Sequence, residues 1–194
     1  MNLFNIIIVN MSRCAWCASS PLYIKYHDEE WGKLTTDETK LFEFLVLESA
    51  QAGLSWITIL KRREGYRKAF LNYDLNKIAN FTEKDVDSLM KNSEIIRNRM
   101  KIEAVINNAN RFMEVQKEFG SFFKYIGTFF KDGKPLINKI ENINQIPTRS
   151  EISDKMSKDM KKRGFKFFGS TLCYSYLQSI GYINDHVDDC EFKY

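Results

Sequence analysis

The chain has only two histidines, and each stands near a cysteine at an opposite end of its 194 residues: Cys14 with His27, and His186 with Cys190 in the run HVDDC. Imidazole and thiolate are the donors that zinc prefers, and two such pairs complete a tetrahedral Cys2His2 set. A fold that uses all four donors must bring its two ends together, which restricts the topology more than any other feature here. Cys17 offers an alternative, because the run CAWC is a CxxC, and spacing alone favours Cys14, Cys17, His186 and Cys190 with His27 left over. The bland alternative is that the cysteines are small apolar core residues and the histidines ordinary ones.

A hydrophobic content of 44% over this length is enough for one buried core. The net charge of +4 is compatible with a polyanionic partner without requiring one. Residues 3–9 are apolar, but a membrane helix needs ~20 such residues, and the segment lacks the basic flank and cleavage site of a secretory leader. A cytoplasmic protein with reduced cysteines is therefore expected, and no membrane partner.

Helical periodicity dominates. Thr35-x-x-Glu38 has the form of a capping box and opens a predicted helix over 37–51, with Gly53 as its stop. A second helix is expected over 55–68, where Lys61, Arg62, Arg63, Arg67 and Lys68 read as a solvated face. Asp74 caps a short turn to Ala79, Thr82-x-x-Asp85 opens a helix to about Lys91, and a long helix spans about 100–118. Ser150 caps another that ends at Gly164, and 170–180 is a last apolar helix before Gly181. With no clear strand signal, the fold class is all-α. The basic link Arg97-Asn98-Arg99, followed by Lys101, reads as a helix-hairpin-helix contact to a phosphate backbone. Such hairpins usually hold glycine, whereas Glu94 and Met100 stand here.

Several blocks carry a family resemblance: Arg13-Cys14-x-Trp16, Pro21-Leu22-Tyr23-Ile24-x-Tyr26-His27-Asp28-x-Glu30-Trp31-Gly32, Leu47-Glu48-x-x-Gln51-Ala52-Gly53-Leu54-Ser55-Trp56-Ile57-Thr58, Ile95-Ile96-Arg97-x-Arg99-x-Lys101-Ile102, and the run KKRGFKFFGSTLCYSYLQSIGYINDHVDDC. Together, over about residues 11–190, they closely resemble the 3-methyladenine DNA glycosylase I family of bacterial alkylation repair. The resemblance implies a helix-hairpin-helix glycosylase fold with a structural Zn²⁺ held by Cys14, His27, His186 and Cys190, which favours His27 over Cys17. It implies residues 1–10 as an N-terminal extension and 11–194 as a single domain of two closely packed helical lobes. A monomer acting on double-stranded DNA with alkylated bases is expected.

A glycosylase must extrude its target nucleotide and hold the base between aromatic faces. By resemblance Trp56 is a stacking wall, with Trp16, Tyr23 and Tyr26 around the base, although aromatics at these spacings also serve as core. Glu48 lies on an apolar stretch where an unpaired carboxylate is costly. Its implied partner is the cationic ring of the flipped 3-methyladenine; an internal arginine is the alternative. Because an alkylated base is already a good leaving group, no strong acid is required. No catalytic Asp or Schiff-base lysine is assigned, and Asp132 and Asp185 are not promoted to that role, so a monofunctional hydrolase is expected. Gly53 and Leu54 form an apolar tip suited to fill the gap left by the flipped nucleotide. Two rival classes share these features: a non-enzymatic zinc-stapled module that binds nucleic acid, which has no use for Glu48, and a zinc hydrolase, which needs an open metal position that four protein ligands would close.

Overall fold

The computed structural model describes residues 12–193, so the expected extension over 1–10 lies outside the described residues. Ten α-helices occur among them: α1 Pro21–Glu29, α2 Glu38–Gln51, α3 Trp56–Leu60, α4 Arg63–Ala69, α5 Leu75–Ala79, α6 Glu83–Leu89, α7 Arg99–Phe119, α8 Phe122–Gly127, α9 Glu151–Lys162 and α10 Ser170–Ser179. The expected helical class holds, with one addition. Leu136–Ile137 (β1) pairs in parallel with Ile183–Asn184 (β2), two residues each, too short for an alternating pattern to announce them.

Helix α2 is the centre of the molecule. Every residue from 41 to 50 is buried, so this helix has no solvent face, and α3, α4, α7, α8 and α10 all pack on it. The capping differs from expectation: Asp37, not Thr35, accepts the amides of Thr39 and Lys40. Glu38 is engaged elsewhere, its carboxylate accepting the first amides of α8 at Phe122 and Phe123 (2.8 and 3.0 Å). An anion at a helix N-terminus is the favourable arrangement, and it locks α8 to α2.

The helix expected over 55–68 is broken at Lys61 and Arg62, leaving α3 and α4. The break lets Arg63 turn inward, where its guanidinium donates to both Glu30 (2.6 and 2.8 Å) and Glu43 (3.0 and 2.8 Å). The expected box at Thr82 and Asp85 is present, as is the cap at Ser150. Between α6 and α7 the chain takes the whole stretch 90–98, a longer link than the tight hairpin expected there. The glycines missing from that link occur instead between α9 and α10, where Gly164 (φ +87°) ends one helix and Gly169 starts the other. Asn108 of α7 clamps this second connection, donating to the Lys166 carbonyl and accepting its amide (2.9 and 2.8 Å).

One continuous hydrophobic cluster runs from Cys14 to Cys190. Helix α1 was not anticipated, since nine residues with little apolar periodicity give a weak signal; Ser20 caps it and Pro21 occupies its first turn. It lies against α3 and brings the N-terminal segment to the pocket side of the fold.

Candidate active site and metal centre

Consecutive residues on a helix point about 100° apart, and α1 uses this to serve two places at once. Tyr26 faces a pocket and His27 faces a cluster of cysteines. The pocket has a volume of about 160 Å³ and brings together Trp16, Tyr23, Tyr26 and Trp56 with Glu48, as the sequence led one to expect. Trp31 lines it too, so all three tryptophans do. Tyr26 and Trp56 lie 5.4 Å apart at 54°, while Trp16 stands edge-on to Tyr23 (5.2 Å) and Trp31 (5.0 Å).

Glu48 is the only carboxylate lining this pocket among the described residues. Burial pushes its carboxyl group up to about 8, and a hydrogen bond from Ser179 partly offsets that rise. The Ser179 hydroxyl donates to Oε1 at 2.6 Å, whereas Oε2 is buried with no partner. No arginine or lysine pairs with Glu48 among the described residues, so the salt-bridge alternative is set aside. An unpaired acceptor among aromatic faces suits a flat, positively charged guest.

Other pocket residues were not singled out from the sequence. Ser175, Gln178 and Ser179 lie at i, i+3 and i+4 of the apolar helix α10, a polar stripe that marks a site when it occurs on a buried helix. Asp185 stands behind Gln178, fully buried, and accepts from Gln178, Tyr174 and Asn138 at 2.7 Å each. Its oxygens organise the wall, and it does not line the pocket.

Cys14, His27 and Cys190 present one ligand atom each within 4.8 Å of one another, all buried. His27 Nδ1 meets Asp28 Oδ1 at 2.7 Å and His186 Nδ1 meets Asn184 Oδ1 at 2.8 Å, leaving both Nε2 atoms for another use. His186 Nε2 is buried without a partner, and the two imidazoles are 4.7 Å apart. His27 Nε2 faces Cys190 Sγ at 3.6 Å, and imidazoles held through one nitrogen with the other turned to further donors match the usual arrangement around a metal. Burial pushes the Cys14 thiol up to about 12 and His186 down to about 4, which favours the neutral form of both side chains. Gly32 (φ +72°) passes beneath the His186 ring, where a Cβ would come within 2.8 Å of Cε1. Cys17 is buried beside this group but outside it, and Cys173 is a core cysteine of α10.

The residues expected to touch DNA separate into two kinds. Gly53 (φ +80°) and Leu54 form an exposed tip between α2 and α3, and Arg97 is exposed with no ion pair among the described residues. Lys101 and Arg99, expected at a phosphate backbone, are both paired within the protein. The Lys101 ammonium donates to the carbonyls of Ala50 (2.8 Å) and Ala52 (2.7 Å), satisfying the C-terminus of α2. Arg99 pairs with Glu83 (2.8 Å), Asp87 and Glu103 (3.6 Å).

A family model described as methyladenine glycosylase matches residues 16–194. The DNA-3-methyladenine glycosylase of Haemophilus influenzae is 46% identical over 182 residues, covering 94% of this chain and 98% of that protein. DNA-3-methyladenine glycosylase 1 of Escherichia coli is 46% identical over 180 residues, covering 93% and 96%. Among solved structures, the 3-methyladenine DNA glycosylase I of Staphylococcus aureus, studied for its recognition of 3-methyladenine, superposes with a TM-score of 0.90 at 38% identity, covering 95% of this chain and 97% of that one.

Proposed function

The chain belongs to the methyladenine glycosylase family, and on that premise we propose that it excises 3-methyladenine from alkylated DNA in base-excision repair, as a monofunctional DNA glycosylase. The observation that carries the reading is Glu48, whose Oε2 is a buried acceptor without a partner in a pocket walled by Trp16, Tyr23, Tyr26, Trp31 and Trp56. N3-methylation leaves the adenine ring cationic while it is attached to the sugar. The flipped base enters the pocket, aromatic faces hold the ring, and the Glu48 carboxylate accepts from its edge. The bond from the base nitrogen to C1′ then breaks, and its electron pair stays on the base, which leaves as neutral 3-methyladenine. The sugar is left oxocarbenium-like, and water adds to C1′ and loses a proton, giving an abasic site. The positive charge is shared between base and sugar along this path, so a fixed negative group beside them stabilises it.

The metal cluster is read as a structural Zn²⁺ site of Cys14, His27, His186 and Cys190, supported by the orphaned Nε2 of His186. Four protein ligands would leave no open position on the ion, which would cross-link the chain ends rather than supply chemistry. DNA is held at the Gly53–Leu54 tip, at Arg97 and at the α9–α10 connection, which is read as the helix-hairpin-helix element. No side chain caps α10, so its N-terminal amides remain available to phosphate. Lys101 supports the tip from behind. No described helix is long and apolar enough to cross a membrane, and the enzyme is read as a cytoplasmic monomer acting on double-stranded DNA. The deciding experiment incubates the purified protein with methylated DNA and identifies the released bases by chromatography. Absence of 3-methyladenine above the spontaneous background would reject the proposal.

A further inference from the structure

Ser179 joins two of the pocket's polar groups, Tyr26 and Glu48, from a third element. It sits on the last turn of α10, 3% exposed, with its Oγ 2.6 Å from Glu48 Oε1 on α2 and 2.9 Å from Tyr26 Oη on α1. Counting protons fixes the direction of both bonds. An ionised carboxylate only accepts, so Ser179 must give its single proton to Glu48. Its oxygen is then an acceptor, and Tyr26 must direct its own single proton to Ser179. What Tyr26 Oη and Glu48 Oε2 then offer to a guest is lone pairs only.

We infer that Ser179 is a positioning residue that sets the polarity of the Tyr26 hydroxyl and thereby makes the pocket select a base edge with an amino group over one with a carbonyl. The inference rests on the proposed glycosylase function and assigns this step of its specificity to Ser179. Adenine carries the N6 amino donor where guanine carries the O6 acceptor. Against two acceptors, 3-methyladenine finds partners for its amino hydrogens, whereas O6 of 3-methylguanine meets lone pairs. Without Ser179, Tyr26 is free to rotate its proton toward the guest and the preference weakens. Tyr23 does not disturb this count, because burial raises Tyr23 and Tyr26 and both stay neutral phenols; the unpartnered Trp56 Nε1–H, Gln51, Ser175 and Gln178 also line the pocket but are the same in every variant compared.

The test measures dissociation constants of free 3-methyladenine and 3-methylguanine by tryptophan fluorescence at pH 9, where Glu48 is ionised, since all three tryptophans line the pocket. Ser179→Ala suits the α10 backbone, alanine being the better helix former. The variant is expected to lower the affinity ratio of 3-methyladenine to 3-methylguanine by about tenfold, the scale of one misdirected hydrogen bond. In a Tyr26→Phe background, which has no hydroxyl to redirect, the same substitution is expected to leave the ratio unchanged. An unchanged ratio in Ser179→Ala, equal loss of both affinities, or an undiminished shift in the Tyr26→Phe background overturns the inference. Single-turnover excision by the wild type separates the two levels. A wild type that excises neither base removes the proposed function, whereas one that excises 3-methyladenine while the ratio test fails removes only the role of Ser179.

Discussion

Replacing Glu48 by Gln keeps the size and shape of the side chain and removes its charge, so it tests the carboxylate without opening a cavity. Burial raises the carboxyl group from an ordinary 4.5 to about 8, which means the protein disfavours the charged form by about 5 kcal/mol relative to water. At pH 7 about one empty pocket in ten holds the carboxylate. A cationic base supplies the missing counter-charge, and ionisation is then favoured. For excision, losing about 3 kcal/mol of charge stabilisation at the transition state lowers the single-turnover rate on the order of a hundredfold.

The same substitution has an opposite effect on stability. A carboxyl group whose folded value is raised contributes most below its unfolded value, and that contribution is lost as pH rises from about 4.5 to about 8. Wild-type stability should therefore fall across this window by up to about 5 kcal/mol from this group alone, while Glu48→Gln lacks that component. Urea unfolding at pH 5.5 and 8.5 is expected to show the Gln variant gaining on the wild type as pH rises, while base release is nearly lost. Wild-type kcat/KM is expected to rise toward pH 8 and then level, because the ionised form receives the cation. A folded Glu48→Gln protein that releases 3-methyladenine at the wild-type rate, or whose stability tracks the wild type across that pH range, would refute the assignment.

Other expectations follow from the surrounding geometry. His27→Ala should lose bound zinc and lower the melting temperature, whereas Cys17→Ala should keep full metal content; elemental analysis distinguishes them, and the reverse result would reassign the ligand. Arg97→Gln should lower the salt slope of DNA binding by about one unit. Arg99→Gln and Lys101→Met should leave that slope unchanged because both cations are paired within the protein, although Lys101→Met should slow excision by releasing the α2–α3 turn. A lowered slope for Lys101→Met would return it to the DNA face. Gly181 (φ +76°) lies where a Cβ would approach the backbone of Lys33 and Leu34 to 2.1–2.4 Å, so Gly181→Ala should cost at least about 2 kcal/mol in denaturant unfolding.

The parts of this site legible in the sequence were those whose residue type is costly or scarce in its setting. Glu48 stands in a stretch that buries every neighbour, and a carboxylate there calls for a special partner. Two histidines, each near a cysteine, point to a ligand cluster before any fold is known, and Cys14, His27 and Cys190 do lie together. Ser179 was not legible, because serine is cheap on a helix and its partner Glu48 lies 131 residues away. The intramolecular pairing of Lys101 was hidden for a related reason: its charge is visible in the sequence, but the carbonyls of Ala50 and Ala52 that receive it are not. The break between α3 and α4 was hidden in the same way, since nothing local shows that Arg63 must turn in to Glu30 and Glu43.

The metal cluster and the base pocket share one wall. Trp16 lies 5.3 Å from His27 and 5.0 Å from Trp31, and Trp31 in turn lies 4.6 Å from His186, so two pocket tryptophans rest against two imidazoles of the cluster. Tyr26 and His27 are adjacent on α1, and Ser179 ends α10 while His186 stands two residues after β2. Of the wall residues, Trp16 lies on a five-residue 3-10 turn, Tyr23 and Tyr26 on a nine-residue helix and Trp31 just beyond it, elements too small to hold their own geometry by local interactions. Glu48 needs no such help, because α2 is enclosed on all sides. The proposed cross-link between Cys14 and His27 on one side and His186 and Cys190 on the other would supply what the aromatic wall lacks, holding Trp16 and Trp31 through their contacts with His27 and His186.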